Sequence, residues 1–160
     1  MTVLASGIEL FEGNIRSFDG AFTELIRKSQ KEIHLASYYI TPESSIFREL
    51  ERAIQRNVKV IVVVNRFNEQ NPETQAFFCK NLKSGNLYIF SFEREDAIMH
   101  AKVLVSDRKS AIVGSANLSR HGFYINYEIG TIVNGSDAWK IAKLVERIAS
   151  ISVPANCRIR

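Results

Sequence analysis

The chain has 160 residues, 46% of them hydrophobic and 24% charged, with 21 Lys and Arg against 17 Asp and Glu for a net charge of +4. These are the values of one globular domain, here spanning 1–160, able to bury roughly 70% of its unfolded surface, and they exclude a disordered or fibrous chain. There is no basic leader and no run of 18 apolar residues, so neither export nor membrane spanning is expected and a cytoplasmic location is. The small basic excess suits a polyanionic partner without establishing one. Cys79 and Cys157 are far apart and lack metal-ligand spacing, so isolated reduced thiols are expected, with neither a disulfide framework nor a zinc site.

In chain order, Gly7 to Phe11 reads as a short strand. Asp19 to Ser29 reads as a helix capped by Asp19, with Phe22, Leu25 and Ile26 on one stripe. Ile33 to Ile40 alternates as a strand. His34 there does not begin a second catalytic motif, because position 36 is alanine. Thr41-Pro42-Glu43 predicts a helix over Pro42 to Arg56, capped by Thr41, that buries Ile46, Phe47, Leu50, Ala53 and Ile54. Val58 to Val64 is apolar throughout and predicts a strand covered on both faces, so strand, helix and strand imply a parallel pair with a right-handed crossover. Asn65 to Asn71 is a loop at the carboxyl end of that strand, where Arg66 could meet a phosphate. A helix from Pro72 to Lys83, capped by Asn71 and ended near Gly85, precedes a strand at Leu87 to Phe90. Later, Tyr127 to Val133 predicts a strand. Asn134-Gly135 is a turn, and a helix from Ser136 to about Ser150 turns Trp139, Ala142, Val145 and Ala149 inward. The tail from Ser152 ends basic.

Between these elements runs His100-Ala-Lys-Val-Leu-Val-Ser-Asp-Arg-Lys-Ser-Ala-Ile-Val-Gly-Ser-Ala-Asn117. Met99 to Val105 predicts a strand whose period of two points His100 and Lys102 the same way. Ser106 to Ser110 has turn composition, and Ala111 to Val113 returns the small polar loop Gly114-Ser115-Ala116-Asn117 toward the two basic residues. The residue types suit phosphoryl transfer: an attacking imidazole, an ammonium, and neutral donors for the non-bridging oxygens. In the segment after Asn117, Arg120 could bind substrate phosphate. Its aromatics could stack on bases, although loop aromatics more often plug a core.

The string fits the pattern HxK(x4)D(x6)GSxN and resembles the signature of the phospholipase D superfamily, and Asn126-Tyr127-Glu128 resembles that family's downstream Asn-x-Glu element. Ile33 to Thr41 and Val58 to Asn65 are similar to its upstream core strands, so the resemblance covers most of the chain; in size it is closest to the short, single-motif bacterial endonucleases. The resemblance implies an α/β fold with a mixed, largely parallel sheet flanked by helices on both faces. It implies His100 as nucleophile, Lys102 as phosphate clamp, Ser115 and Asn117 as phosphate donors, and Glu128 as the carboxylate that orients the histidine. Asp107 belongs to the signature, yet in a turn it could serve the fold instead. Family members use two histidines in one pocket, and one motif per chain therefore implies a homodimer with a composite site. No metal cofactor is implied, because ammonium and imidazole groups supply the charge. DNA is the first substrate class. A phospholipid phosphodiesterase or transferase, or a non-catalytic nucleic-acid-binding subunit, are the alternatives, and a larger restriction or helicase assembly is a further partner class.

Overall fold

A computed structural model describes residues 1–10 and 13–157. Its strands are β1 (Thr2–Ser6), β2 (Arg16–Ser17), β3 (Glu32–Ser37), β4 (Lys59–Asn65), β5 (Leu87–Phe92), β6 (Lys102–Ser106), β7 (Ser110–Gly114), β8 (Glu128–Asn134) and β9 (Val153–Pro154). They form one mixed nine-stranded sheet in the order β2-β1-β8-β7-β6-β3-β4-β5-β9. Helices α1 (Phe18–Lys28), α2 (Ser44–Gln55) and α3 (Pro72–Asn81) pack on one face, and α4 (Ser136–Ser150) on the other. The parallel pair expected of β3 and β4 is present, and β4–β5 and the short β1–β2 pair are parallel too. Five of the eight pairings are antiparallel, however, so the sheet is mixed and not largely parallel: the β6–β7 hairpin and the return through β8 to β1 run each strand against its neighbour.

The apolar run of β4 has its cause in the two layers. Val60, Val62 and Val64 belong to the core under α1, α2 and α3, while Ile61 and Val63 belong to the core under α4. A strand covered twice has no polar face, which is why it shows no alternation. Each of these side chains contributes on the order of 1.5–3 kcal/mol by leaving water. The stripe Ile46, Phe47, Leu50, Ala53 and Ile54 of α2 is buried as its spacing requires.

Several boundaries differ from expectation, each for a physical reason. The first strand is Thr2–Ser6, and Ile8–Leu10 is a 3₁₀ turn; Phe11 lies outside the described residues. Helix α1 is capped by Ser17, whose hydroxyl accepts from the Gly20 N–H at 3.2 Å, and not by Asp19, which accepts a bond from Ser45 at 2.7 Å. Helix α2 begins at Ser44, because Thr41 is engaged elsewhere: its N–H donates to the Leu118 carbonyl at 3.0 Å, and its hydroxyl accepts from the Arg120 N–H at 3.4 Å. Asn71 does cap α3, accepting from the Glu73 N–H at 2.9 Å. Trp139 is 49% exposed, one step off the stripe formed by Ala138, Ala142, Val145 and Ala149, with the Lys143 ammonium over its ring.

The largest correction concerns the cysteines. Cys79 and Cys157 form a disulfide with Cα atoms 5.4 Å apart. Strand β9 pairs antiparallel with Phe90 and Ser91 of β5, which returns the end of the chain to α3 and closes the bridge. Positions 158–160, the basic end of the tail, lie outside the described residues. Among the described residues no helix is long and apolar enough to cross a membrane.

Candidate active site

Lys102 opens β6 opposite Ser37 of β3, and His100 lies two residues earlier, in the extended connection and not in the strand itself. What places His100 is the residue before it. The buried Met99 N–H donates to Asn65 Oδ1 at 2.9 Å, which fixes the connection to the carboxyl end of β4. His100 is exposed, while Lys102 is 8% exposed and turns its ammonium back to the imidazole. Lys102 Nζ lies 3.0 Å from His100 Nδ1, 2.9 Å from Nε2, and donates to the His100 carbonyl at 2.9 Å. Burial pulls the Lys102 pKa below its ordinary value, and the Glu128 charge partly opposes that. The Tyr38 ring meets His100 edge-on, with centroids 5.0 Å apart, and the ammonium stands 5.8 Å from the same ring.

The hairpin brings the second half of the motif back as its pattern requires. After β7, the Ser115 hydroxyl donates to Glu128 Oε2 and accepts from the Ile129 N–H at 3.2 Å. Asn126 Nδ2 donates to Glu128 Oε1 at 3.2 Å, so the carboxylate is held from two sides; among the described residues none of its bonds goes to the chain's own His100. Asn117 Oδ1 is buried without a partner among the described residues, an expensive state for an amide. The loop is locked from behind: a Cβ on Gly122 would lie 2.3 Å from the Asn117 carbonyl, so only glycine lets the wide turn His121–Ile125 pack there. Phe123 of that turn is buried against Phe18 and Phe22, and so plugs the core.

Three sequence candidates fall outside this cluster. Asp107 is at the opposite end of β6 from Lys102, five residues and roughly 16 Å along the strand. It occupies a left-handed position at φ 51° and accepts from the backbone N–H groups of Gln30, Lys31 and Glu32 at 3.0, 2.8 and 3.0 Å. Its hydrogen bonds go to the turn before β3 and not to the His100 and Lys102 cluster. Burial pushes its pKa up, but the three N–H donors outweigh that and leave it below the ordinary value. Arg66 stands at the end of β4 in a left-handed conformation and reaches Glu69 at 3.4 Å. Arg120 is exposed at the start of the wide turn.

Sequence reasoning missed Tyr38, Asn65 and Gln70. Gln70 accepts from the Ile40 N–H at 2.9 Å and donates to the carbonyls of Tyr38 and Asn65 at 3.0 and 2.6 Å. The available signal was Asn65, a polar residue ending an otherwise apolar strand at the edge where α/β sheets collect ligands.

A family model described as cardiolipin synthase, PLD-like domain, matches residues 22–150. The chain belongs to the phospholipase D superfamily. DISARM protein DrmC of Bacillus paralicheniformis is 32% identical over 128 residues, 76% of this chain and 51% of that protein. The probable cardiolipin synthase YwiE of Bacillus subtilis is 28% identical over 139 residues, 85% of this chain and 26% of that protein. The chain thus spans about a quarter of the cardiolipin synthases it matches and half of DrmC. In fold it is similar to the phospholipase D family member Nuc of Salmonella typhimurium, with TM-score 0.78 and 18% identity over 97% of this chain and 98% of that one. NucT from Helicobacter pylori gives TM-score 0.73 and 21% identity over 85% and 89%.

Proposed function

We propose that this superfamily phosphodiesterase is a DNA endonuclease that works as a homodimer through a phosphohistidine. The observation that carries the reading is the exposed His100 with an ammonium at 2.9 Å, present once per chain. One His100 attacks phosphorus, forming the N–P bond as the bond to the leaving oxygen breaks. The same residue of a second copy protonates that oxygen, then takes a proton from water, whose oxygen displaces the histidine. Lys102, Ser115 and Asn117 hold the phosphoryl oxygens. Glu128 orients an imidazole of the composite site through a carboxylate that Ser115 and Asn126 keep in place. Arg120, and Arg66 once released from Glu69, extend the cationic rim.

A second copy has a surface to use. Tyr127 and Ile129, 61% and 66% exposed, neighbour Glu128 in sequence and leave apolar area at the start of β8. The nuclease reading draws on the basic charge balance and on the resemblance of the motif to that of the short bacterial endonucleases.

The description of the matching family favours a second reading, a phospholipid phosphodiesterase or phosphatidyltransferase. One experiment separates the two. The purified protein is given plasmid DNA, single-stranded DNA and phosphatidylglycerol vesicles, each with excess chelator, and acid-quenched turnover is searched by mass spectrometry for phosphate on His100. Chelator-resistant DNA cleavage with that adduct is expected. Turnover of lipid alone would replace the nuclease reading, and turnover without an adduct would remove the covalent step.

A further inference from the structure

Beside the His100 and Lys102 pair lies a cleft of about 200 Å³ lined by Tyr38, Tyr39, Asn65, Glu69 and Gln70. We propose that it is a nucleobase subsite, which holds one unstacked base next to the scissile phosphate and so selects single-stranded nucleic acid. The proposal rests on the nuclease reading above and adds the part of the substrate that the phosphate site does not touch.

Four observations converge on a flat, aromatic, hydrogen-bonding ligand. The cleft shares a wall with the catalytic pair, because the Tyr38 ring that borders it also packs edge-on against His100 at 5.0 Å. A group seated there is one residue's reach from the reacting phosphorus. Tyr39, 37% exposed, adds a second aromatic side chain to the lining, and ring faces of this kind stack on any base. Asn65 is 6% exposed, its Oδ1 already accepts from Met99, and its Nδ2 has no partner among the described residues. That amide nitrogen supplies a donor of fixed position to a base carbonyl or ring nitrogen.

Glu69 supplies the opposite function. It is 66% exposed and, among the described residues, tied only to Arg66 at 3.4 Å, so it can accept from an exocyclic amine. A carboxylate at this wall disfavours a second phosphate, which distinguishes the cleft from a further anion site. The floor is rigid. Gln70 spends its carbonyl on Ile40 and its amide nitrogen on Tyr38 and Asn65, which fixes the cleft before any ligand enters. The volume is below the range that encloses a drug-sized ligand and suits a single ring system. A base paired within a duplex cannot enter such a cleft without leaving its stack.

The test uses short single strands in which one phosphodiester is cleavable and the other linkages are methylphosphonates. Thymidine on both sides of the cleavable linkage is compared with an abasic residue on one side, then on the other, and with the intact strand annealed to its complement. Removing the base on one particular side should lower kcat/KM by about 5- to 150-fold, the range that one base–aromatic stack covers. Removing the other base should do much less, and the duplex should be cleaved more slowly than the single strand. In Tyr39→Ala the ratio between intact and abasic strands should collapse toward one, while Tyr39→Phe restores it. Equal cleavage of all abasic and intact strands would overturn the subsite and leave the nuclease reading standing. Turnover of phosphatidylglycerol vesicles with none of any strand would overturn that reading and the subsite together.

Discussion

The two ends of β6 carry residues of one motif and do opposite work. At the Lys102 end, hydrogen-bonding capacity is left over: an exposed imidazole, an ammonium held against it, and a buried Asn117 oxygen with no partner among the described residues. At the Asp107 end nothing is left over. The carboxylate accepts from three backbone N–H groups, and the left-handed pair Asp107 and Arg108 closes the turn. A short strand has to be anchored at one end for its other end to be held in register for chemistry. Spacing in a motif therefore records both the reaction and the turn that aims it.

Mutation at the two ends should separate activity from stability. His100→Ala removes the nucleophile and should lower turnover by at least about 10⁴-fold. Because the side chain is exposed, the unfolding free energy from urea titration should stay within about 0.5 kcal/mol of wild type. Lys102→Gln keeps much of the volume and loses the charge that neutralises the phosphoryl oxygens; turnover should fall about 10²- to 10³-fold, as for loss of one preorganised oxyanion donor. Equal losses of activity and stability in either variant would mean that this end, too, serves the fold.

Asp107→Asn should show the reverse pattern. Asparagine tolerates the left-handed turn but loses the charge, so unfolding free energy should drop by about 1–3 kcal/mol while the folded fraction keeps its turnover. The pH dependence has a definite sign. A carboxyl whose folded pKa is depressed adds stability that is complete above its unfolded value of about 3.9 and is lost as pH falls through the folded value. The wild-type advantage over Asp107→Asn, read from urea midpoints, should therefore shrink as the pH is taken from 6 toward 3. A gap that stayed constant over that interval would show that the carboxylate's charge is not what holds the loop.

Much of this was legible in the sequence, and the failures share a cause. The hairpin, the doubly covered β4, the buried stripe of α2 and the cap of α3 depend on local pattern, and local pattern found them. Thr41 was misread because its capping capacity is spent on Leu118 and Arg120, far along the chain. The Cys79–Cys157 bridge depends on β9 returning to β5, a pairing that two residues of strand cannot announce. It also weakens the argument for a reducing compartment that rested on free thiols. Trp139 shares helical spacing with Ala142, Val145 and Ala149, yet the buried stripe starts at Ala138 and leaves Trp139 outside. Asp107 lies in a motif and in a turn at once, and its three N–H partners could not be read from the local pattern. Tyr38 and Asn65 gave little warning because their importance comes from what they touch, the His100 ring and the Met99 amide.

The smallest effect concerns the histidine that the sequence set aside. His34 is wholly buried in β3, its Nε2 3.3 Å from Glu146 and 4.0 Å from Glu32, with Arg108 pairing both carboxylates and Lys143 3.3 Å from Glu146. Burial pulls its pKa down more than the two carboxylates raise it, whereas Arg108 above all holds Glu146 down at about 2. The carboxylates here already pair with Arg108 and Lys143, while His34 Nδ1 is buried without a partner among the described residues. A histidine depressed on folding is more readily protonated in the unfolded chain. Its contribution to stability is complete above the unfolded pKa of about 6.5 and is lost as pH falls toward the folded value, by at most about 1.4 kcal/mol per pH unit. Urea midpoints at pH 7, 6 and 5 should fall for wild type and change less for His34→Leu, whose Glu146 keeps Arg108 and Lys143. A variant that fell as steeply would move the origin of the acid sensitivity to the carboxylates and leave His34 a packing residue.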